Sequence, residues 1–232
     1  MCGRYSLFTP PADVEDRFDA RFEEPFAPRY NAAPGQRLPV ITNESPESIR
    51  TLEWGLVPAW ADDGDSHINA RAETLHSKPS FRGAYENRRC LVLADGFYEW
   101  VDTDAGRRPY RIAFEDDRPF AMAGLWERWE PETRQSGLGD FGAGIEDDSP
   151  DDTVRETFAV VTTEPNAVVA DLHHRMAAIL APEDERRWLE ADDPRDVLEP
   201  YPADEVRAYP ISTTVNDPTN DGPELIEPVE SA

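Results

Sequence analysis

Cys2 occupies the position with the most distinctive chemistry in this sequence. A small residue at position 2 allows an aminopeptidase to remove Met1, which would leave a chain that begins with cysteine. An N-terminal cysteine has an α-amine with a pKa of about 7.7–8.0 and a thiol with a pKa of about 8.5, so both nucleophiles exist near neutral pH. Such a 1,2-aminothiol condenses with an aldehyde to an imine, and the thiol then closes a thiazolidine ring. The alternative is that Cys2 is an incidental small residue in the core.

Asn69 and Glu99 lie in two segments that could assist this chemistry. Asn69 stands in a polar turn, and its amide offers a donor and an acceptor that could hold an amine or a substrate oxygen. Glu99 stands among aromatic residues in a strand-like run, where partial desolvation would raise its pKa toward the range useful for general acid–base catalysis. The alternatives are a local turn cap for Asn69 and an edge-strand carboxylate facing water for Glu99.

His173 and His174 stand side by side in an otherwise apolar region. Adjacent residues of a strand point to opposite faces, so at most one of the two imidazoles enters a given site. An imidazole that titrates near neutral pH could act there as an acid or a base. The alternative for each is a hydrogen-bonded structural histidine or a surface residue.

These residues must be positioned by a chain that is rich in short strand-like segments. Val14, Phe18 and Phe22 recur at helical spacing after two prolines, which predicts a helix from Ala12 to Phe22. Pro, Gly and Asp clusters separate the apolar runs that follow, and no internal repeat is found. The expected fold class is therefore a single β-rich α+β domain. The predicted strands are Leu38 to Thr42, Ser48 to Trp54, Cys90 to Leu93, Gly96 to Trp100, Tyr110 to Phe114, Phe120 to Trp126 and Phe158 to Thr162.

Composition excludes several classes of protein. The 232 residues contain 48 Asp and Glu against 23 Lys and Arg, a net charge of −25 that excludes a basic nucleic-acid-binding module. Hydrophobic residues make up 39% of the chain, with six Trp, which is sufficient for a globular core. Cys2 and Cys90 are too few for a disulfide framework or a multi-thiolate zinc site. No apolar stretch approaches the roughly 20 residues of a membrane span and no signal peptide is recognisable, so we expect a cytoplasmic protein without a membrane partner.

Charge is unevenly distributed along the chain. Lys78 is the only lysine, and the acidic surplus is typical of a halophilic prokaryote or, alternatively, of a GC-rich mesophile whose codon bias favours Arg. Residues 131–157 are acidic and interrupted by Gly and Pro, which predicts a solvated insertion without function. The block from Glu183 to Glu205 is predicted to be a surface helix. The segment from His67 to Trp100 instead concentrates cations near the candidate residues.

Nine segments, in order along the chain, resemble the SRAP family of abasic-site processing proteins. The resemblance runs from Cys2 nearly to the C-terminus and leaves the acidic insertion uncovered. It implies one SRAP-like domain over residues 2–230, built on a mixed or antiparallel curved sheet flanked by helices. The segments are MCGRY (1–5), YNAAPGQ (30–36), WGLVPAW (54–60), NARAET (69–74), KPSFR (78–82), CLVLADGFYEW (90–100), AGLWERW (123–129), TTEPNAVVADLHHRMAAIL (162–180) and VNDPTNDGPELIEPV (215–229).

The resemblance implies covalent capture of abasic sites in single-stranded DNA, whose opened deoxyribose presents an aldehyde to the N-terminal aminothiol. The family's nucleophile falls on Cys2, its amine-positioning asparagine on Asn69, its catalytic glutamate on Glu99 and its catalytic histidine on His173. His173 would assist opening of the sugar ring, and Glu99 would shuttle protons during imine formation and reversal. The resemblance also implies autoproteolytic removal of Met1 and lyase activity, with no cofactor and no metal.

Six further residues fall in motifs that resemble the family's DNA-contacting segments. They are the basic Arg4, Arg71 and Arg82 and the aromatic candidates for base stacking or wedging Trp54, Trp60 and Phe81. The expected partner is single-stranded DNA that contains abasic sites, bound by a monomer associated with the nucleoid. The sequence departs from the family at Ala177, where proline is usual, and at Leu93, where another residue is common.

Two other classes of function stay open at this point. Cys2 and His173 could form the nucleophile and base of a thiol or N-terminal-nucleophile peptidase. The third class is a non-covalent binder of single-stranded or modified DNA in which Cys2 is structural.

Overall fold

The computed structural model describes residues 2–61, 65–104, 106–130 and 154–230. Its α-helices are α1 (Pro11–Phe18), α2 (Pro79–Asn87), α3 (Ala167–Ala170) and α4 (Pro182–Glu190). Within the described ranges, no helix is long and apolar enough to cross a membrane. The strands are β1 (Arg4–Leu7), β2 (Arg21–Phe22), β3 (Arg29–Ala32), β4 (Arg37–Thr42), β5 (Ser45–Trp54), β6 (Asn69–Arg71), β7 (Arg89–Ala94), β8 (Gly96–Thr103), β9 (Gly106–Phe114), β10 (Phe120–Trp129), β11 (Arg155–Thr163), β12 (Met176–Ala177) and β13 (Val206–Pro210).

The first sheet is antiparallel and has five strands in the order β13-β9-β8-β1-β3. Its central strand is β8, in which Glu99 pairs with Tyr110 of β9. On its other side β8 pairs with β1, with Arg4 opposite Tyr98. Because Cys2 lies just before β1, this register brings the start of the chain to the part of β8 that carries Glu99.

The second sheet is mixed and has eight strands. Seven of them follow the order β12-β11-β10-β7-β4-β5-β2, and β6 pairs in parallel with β11. A further parallel pairing of β11 with β5 places Phe158 opposite Trp54 and closes β5, β4, β7, β10 and β11 into a ring. Strand β11 is therefore hydrogen-bonded to β5, β6, β10 and β12, and it aligns segments from distant parts of the chain.

The two sheets share one apolar core. A cluster of buried side chains contains Cys2 and Phe97 from the region of the first sheet and Trp54 and Phe158 from the second. The rings of Tyr5 and Trp54 link the sheets directly, with their centroids 5.1 Å apart. Fully burying a large apolar side chain stabilises the fold by about 1.5–3 kcal/mol. The predicted β-rich α+β class is confirmed.

Helix α1 ends at Phe18 and not at the predicted Phe22. Asp19 adopts a left-handed φ of 49°, and its backbone N–H bonds to the carbonyl of Glu15. The carboxylate of Glu15 accepts the backbone N–H of Phe22 at 2.9 Å. Arg21 and Phe22 then pair in parallel with β5. The helical spacing of Phe22 did not reveal where the helix ends, because a strand can pack the same apolar side chain against the same core.

Most of the predicted acidic insertion, residues 131–153, lies outside the described residues. Its predicted end is wrong, because β11 begins at Arg155. Arg155 pairs with Glu53 at 2.6 Å, and Glu156 pairs with Arg50 at 2.6 Å. These charges have partners on the neighbouring strand β5, so a charged stretch that resembled a linker is the start of a strand.

The predicted surface helix between Glu183 and Glu205 is α4, and it ends at Glu190. One side of this helix is buried. Trp188 is fully buried, and its indole N–H donates to the carbonyl oxygen of Cys90 at 3.0 Å. The helix therefore packs on β7. Glu183 and Glu190 are on its outer face, whereas Glu185 is buried and pairs with Arg17 at 2.5 Å.

Asp95 is a buried carboxylate between β7 and β8 that ties the end of β1 to the first sheet. It accepts a hydrogen bond from the Ser6 hydroxyl at 2.7 Å. It also accepts the backbone N–H groups of Phe8 at 2.5 Å and Thr9 at 3.0 Å. The buried guanidinium of Arg111 lies 3.5 Å from the carboxylate. Removal of this one side chain would leave several buried donors without their acceptor.

Asp95→Ala is expected to lower the free energy of unfolding by about 3–5 kcal/mol, because breaking a buried ion pair leaves polar partners uncompensated. Denaturant unfolding followed by Trp fluorescence measures the change. Asp102→Ala is the control, because the Asp102 side chain is 90% exposed. Its removal should change stability by less than about 0.5 kcal/mol. Equal stabilities of the two variants would contradict the role assigned to Asp95.

Candidate functional site

Cys2 is fully buried where β1 begins, and its Sγ lies 3.7 Å from the carbonyl oxygen of Arg4. The carbonyl oxygen of Cys2 accepts a hydrogen bond from Asn69 Nδ2 at 2.8 Å. Burial raises the pKa of the Cys2 thiol far above its ordinary value, and the nearby charge of Glu99 raises it further. The thiol is therefore protonated at neutral pH.

Asn69 is held at this place by its strand. Strand β6 runs parallel to β11 with Asn69 opposite Val160, and the Trp54 indole N–H donates to the carbonyl of Ile68 at 2.9 Å. The Oδ1 atom of Asn69 is buried and accepts no hydrogen bond from the described part of the chain. Leaving a buried acceptor unsatisfied costs about 1–3 kcal/mol. The site therefore offers this oxygen to an N–H or O–H donor.

Glu99 lies on the central strand β8 and is 2% exposed. Burial raises the pKa of its carboxyl from 4.5 to about 6. A carboxyl with this pKa can accept and return protons near neutral pH. The alternative of an edge-strand carboxylate facing water is wrong, because β8 has strands on both sides.

His173 lies in the connection between β11 and β12, just after α3, where its backbone N–H donates to the carbonyl of Val169 at 2.8 Å. Its Nδ1 accepts the backbone N–H of Arg175 at 3.0 Å. The same Nδ1 also lies 3.2 Å from the carbonyl oxygen of Arg175, to which it would donate in the other tautomer. Partial burial lowers the pKa of His173 and favours the neutral ring. The ring of His174 stacks on that of His173 at 4.3 Å but is exposed.

Three cations follow Asn69 in the sequence, one on β6 and two on or next to α2. Arg71 and Arg82 are exposed, and neither forms an ion pair with the described residues. Lys78 lies over the ring of Phe81 at 4.8 Å. In a protein with a net charge of −25, exposed cations that form no ion pair with the described residues provide local positive charge suited to a polyanion. A cleft of about 330 Å³ beside the start of the chain is lined by Gly3, Arg4, Trp100, Arg107 and Asn216.

Residues 1–218 match the family model described as "SOS response associated peptidase (SRAP)". The chain belongs to the SRAP family. YoqW of Bacillus subtilis (strain 168), named an abasic site processing protein, is 39% identical over 240 residues, which cover 98% of this chain and 99% of YoqW. HMCES of Gallus gallus, also named an abasic site processing protein, is 31% identical over 243 residues, which cover 88% of this chain and 67% of HMCES.

Solved structures share the SRAP fold of this chain. A crystal structure of a protein from Bacteroides thetaiotaomicron superimposes with a TM-score of 0.82 at 26% identity, covering 99% of this chain and 100% of that chain. A phage-related protein from Bordetella bronchiseptica superimposes with a TM-score of 0.66 at 28% identity, covering 90% of this chain and 94% of that chain. The family resemblance predicted from the sequence is confirmed.

The SRAP fold brings the four predicted catalytic residues to one region. Asn69 bonds to the backbone of Cys2, and Glu99 lies close enough to affect the pKa of the thiol. Glu99 and His173 share a neighbour. Burial has the largest effect on the pKa of each group, and the guanidinium of Arg107 lowers the pKa of both by one of the smallest contributions. Cys2, Asn69, Glu99 and His173 therefore surround the start of β1, with Arg107 at the tip of the β8–β9 hairpin beside them.

The predicted aromatic contacts with DNA need correction. Trp60 is 67% exposed, as base stacking requires. Trp54 is buried, and its ring packs against those of Tyr5 and Phe158. Phe81, a residue of α2, is likewise buried. Neither Trp54 nor Phe81 offers a ring face on which a base could stack, so the prediction that they contact DNA is wrong.

Sequence analysis missed an ion pair and one cation in this SRAP site. Arg175 donates to both carboxylate oxygens of Glu73, and both residues lie in family segments. Only the opposite charges of the two residues pointed to the ion pair, and a single sequence does not show which charged side chains are neighbours in the fold. Arg107 was missed because it lies outside every family segment. Ala177, in place of the usual proline, pairs with Thr162 in the β11–β12 ladder.

Glu99→Gln is expected to stabilise the protein at neutral pH. The pKa of the folded-state carboxyl, about 6, is above its ordinary value of 4.5, so stability falls as the pH rises through this interval. Removing the ionisable group should raise the free energy of unfolding at pH 7–8 by up to about 2 kcal/mol, with no difference near pH 4.5. Thermal unfolding at both pH values measures this change.

Glu47→Gln, at an exposed position, is the control for this measurement and should leave the pH dependence unchanged. A Glu99→Gln protein that is less stable at neutral pH, or whose difference from the wild type does not depend on pH, would contradict the assignment of a desolvated carboxyl.

Proposed function

We propose that this SRAP protein captures abasic sites in single-stranded DNA as a thiazolidine formed by Cys2 of the mature chain. The observation that supports this most directly is the bond of Asn69 to the Cys2 carbonyl at 2.8 Å, beside the Glu99 carboxyl with its pKa of about 6. Together they hold the cysteine backbone and supply a proton acceptor next to its nucleophiles. The names of YoqW and HMCES, abasic site processing proteins, agree with this proposal.

The proposed reaction involves no redox step and releases one water. An abasic deoxyribose opens from its hemiacetal to an aldehyde, and the α-amine of Cys2 adds to C1′. Loss of water gives an imine. The thiol then adds across the C=N bond, with its sulfur going to carbon and its proton to nitrogen. The product is a thiazolidine joined to both the protein and the DNA.

Three side chains have separate tasks in this sequence of steps. His173 takes the proton of the C1′ hydroxyl and returns it to the sugar ring oxygen during ring opening, so the imidazole ends in the protonation state in which it began. Glu99 accepts a proton from the attacking amine, returns it to the departing hydroxyl and later takes the thiol proton. Asn69 orients the amine, because its Nδ2 holds the Cys2 carbonyl while its Oδ1 can accept an amine N–H.

The protonated thiol favours this chemistry over that of a thiol peptidase. A cysteine peptidase attacks with a thiolate, which requires a cysteine pKa lowered to about 3.5–7.5. Burial and Glu99 raise the pKa of Cys2 instead. In the proposed reaction the thiol acts second, within the same residue, on an electrophilic imine, so a standing thiolate is not needed. A purely non-covalent DNA binder would make no use of a desolvated carboxyl next to this thiol.

Removal of Met1 is part of the proposal, because an amide nitrogen cannot form an imine. An aminopeptidase could remove it, or the chain itself could, as the description of SRAP as a peptidase family suggests.

The imine is also the species from which a lyase would break the DNA strand. Fast closure by the Cys2 thiol would therefore compete with strand cleavage and preserve the DNA.

Single-stranded DNA fits the surface around the site. Arg71, Lys78 and Arg82 provide cations that form no ion pair within the described ranges, and Trp60 provides an exposed ring for base stacking. The lesion must also be splayed from its neighbours before C1′ can reach the buried Cys2. Single-stranded or junction DNA allows this more readily than continuous duplex.

A tag retained in front of Cys2 is expected to abolish the stable DNA adduct as completely as Cys2→Ala does. The tag converts the α-amine to an amide and leaves the thiol in place. Incubation with an oligonucleotide that carries one abasic site, followed by a denaturing gel, measures the adduct. Cleavage that exposes Cys2 should restore it, with a mass equal to mature protein plus DNA minus one water.

The same assay separates the alternatives. A thiol peptidase tolerates an N-terminal extension because its nucleophile is the sulfur alone, and a non-covalent binder gives no denaturant-resistant band. An abasic analogue without the aldehyde-forming hydroxyl is the substrate control and should give no adduct. A tagged protein that still formed the adduct would refute the thiazolidine mechanism.

Arg71→Gln and Arg82→Gln are each expected to weaken binding to single-stranded DNA and to reduce the slope of log K against log salt by about 0.7 per lost phosphate contact. Fluorescence anisotropy over a salt series measures both quantities. Arg186→Gln is the matched control, because Arg186 pairs with Glu190 at 2.9 Å on the outer side of α4. An equal loss of affinity in all three variants would show an effect of net charge alone and contradict a local DNA-binding face.

A further inference from the structure

Cys2 lies just outside the first sheet, because β1 begins only at Arg4. The ends of a chain fray unless neighbouring groups hold them. The carbonyl oxygen of Cys2 accepts from Asn69 Nδ2 at 2.8 Å, and its thiol donates to the carbonyl oxygen of Arg4 at 3.7 Å. The position of the thiol therefore depends on how firmly Arg4 is held.

The side chain of Arg4 bonds to a segment near the other end of the sequence. Its Nη1 donates to the carbonyl oxygen of Val215, 211 positions away, at 2.8 Å. Its Nη2 donates to the carbonyl oxygen of Asn216 at 3.4 Å. Nη1 also donates to Oδ1 of Asn31 at 3.0 Å, and Asn31 belongs to β3, the neighbour of β1 in the first sheet. Arg4 is thus anchored both to the adjacent strand and to this distant segment.

Asn31 fastens the distant segment to β3. It is 1% exposed, and its Nδ2 lies within hydrogen-bond distance of three carbonyl oxygens of residues 215–221. They are those of Val215 at 3.1 Å, Asp217 at 3.0 Å and Asn220 at 2.9 Å. The carboxylate of Asp221 accepts the backbone N–H groups of Tyr30 at 2.6 Å and Asn31 at 2.9 Å. We call residues 215–221 the C-terminal clamp.

The C-terminal clamp also contacts the strand that carries Glu99. Trp100 follows Glu99 on β8, and its indole N–H donates to Oδ1 of Asn216 at 2.7 Å. Asn216 therefore accepts from β8 through its side chain and from Arg4 of β1 through its carbonyl oxygen. The two strands are hydrogen-bonded neighbours, with Arg4 opposite Tyr98. One residue of the clamp thus joins the strand next to Cys2 with the strand of Glu99.

We propose that the C-terminal clamp, fastened by Asn31, positions Cys2 against Glu99 for attack on the abasic sugar. This inference rests on the proposed function, because the attack is the step that uses both side chains. Bond formation requires reacting atoms about 3–3.5 Å apart in a defined orientation, which a frayed chain end does not maintain. Asn31 is buried and acts through Arg4, so it is a positioning residue that does not touch the DNA.

Asn31→Ala removes the acceptor of Arg4 and the donor to the clamp without changing any charge. We expect crosslinking that is about 10-fold slower or more at saturating DNA, because small displacements of a reacting group strongly reduce the rate. The Kd for an undamaged oligonucleotide should stay at the wild-type value. Arg4→Lys is the second variant, because it keeps the positive charge but loses the planar fork that reaches Asn31, Val215 and Asn216 together. It should slow crosslinking at saturating DNA as well.

Asn43→Ala is the matched control. Asn43 lies in the turn between β4 and β5, and its amide also joins three segments. Its Nδ2 donates to the carbonyl oxygen of Asn87 at 2.9 Å, and its Oδ1 accepts from the backbone of Arg89 and from the indole of Trp126, each at 3.1 Å. None of these partners lies on β1, β6, β8 or the β11–β12 connection. The control therefore loses a comparable buried network away from Cys2 and Glu99.

Single-turnover crosslinking of the mature, untagged protein to a single-stranded oligonucleotide with one abasic site tests these expectations. It is measured over a range of DNA concentrations, at a temperature where Trp fluorescence shows every variant to be folded. We expect a lower maximal rate for Asn31→Ala and Arg4→Lys, and the wild-type rate for Asn43→Ala. A wild-type maximal rate for Asn31→Ala or Arg4→Lys, or equal slowing by Asn43→Ala, overturns the proposal.

NMR relaxation of the backbone amides of Gly3 and Arg4 gives a readout that does not depend on DNA. In the wild type and in Asn43→Ala we expect order parameters near the rigid value of about 0.85, and in Asn31→Ala values below about 0.6. Unchanged order parameters in Asn31→Ala overturn the positioning role even if crosslinking is slow. A wild-type protein that forms no adduct contradicts the proposed function instead, and the relaxation data still decide whether the clamp holds the start of the chain.

Discussion

Glu99 is buried beside Cys2, and the ionised forms of both side chains are disfavoured there. In water the carboxyl would be ionised and useless as an acid, and a free thiolate would react with many electrophiles. Burial raises the pKa of Glu99 to about 6 and that of the Cys2 thiol far above its ordinary value. The site thus holds a carboxyl that exchanges protons at neutral pH and a thiol that keeps its proton until an electrophile arrives. The close packing of two sheets around this region maintains the desolvation.

Strand β11 aligns segments that are far apart in the sequence so that their side chains meet in one site. Asn69 is aligned by parallel pairing of β6 with this strand, and His173 is carried by the connection from β11 to β12. Because β11 also pairs with β5 and β10, it cannot shift without breaking hydrogen bonds on several neighbours. Bond formation requires reacting atoms about 3–3.5 Å apart in a defined orientation. A strand held on both sides can provide such alignment, whereas a loop alone would not.

Local residue types were enough to predict some of this architecture. The strand from Gly96 and the desolvation of Glu99 follow from aromatic neighbours in one short run. The burial of Trp54 could not be predicted in this way, because an indole in the core and an indole that stacks on a base have the same local pattern. The indole is buried by Tyr5 of β1 and Phe158 of β11, which the folded sheets bring against it. The pairing of Glu73 with Arg175 is likewise a consequence of the β6–β11 register, which no local pattern encodes.

A protein with a net charge of −25 can retain a polyanionic ligand because the proposed capture is covalent. Reversible binding must retain DNA through phosphate contacts, and these weaken as salt rises. A covalent bond needs only an encounter long enough for the imine to form, after which salt no longer matters. Electrostatic interactions are screened over about 8–10 Å, so Arg71 and Arg82 can act locally while distant carboxylates do not. The remaining acidic surface then disfavours binding to undamaged strands. Reaction with an aldehyde, and not affinity for phosphate, thereby decides which DNA is retained.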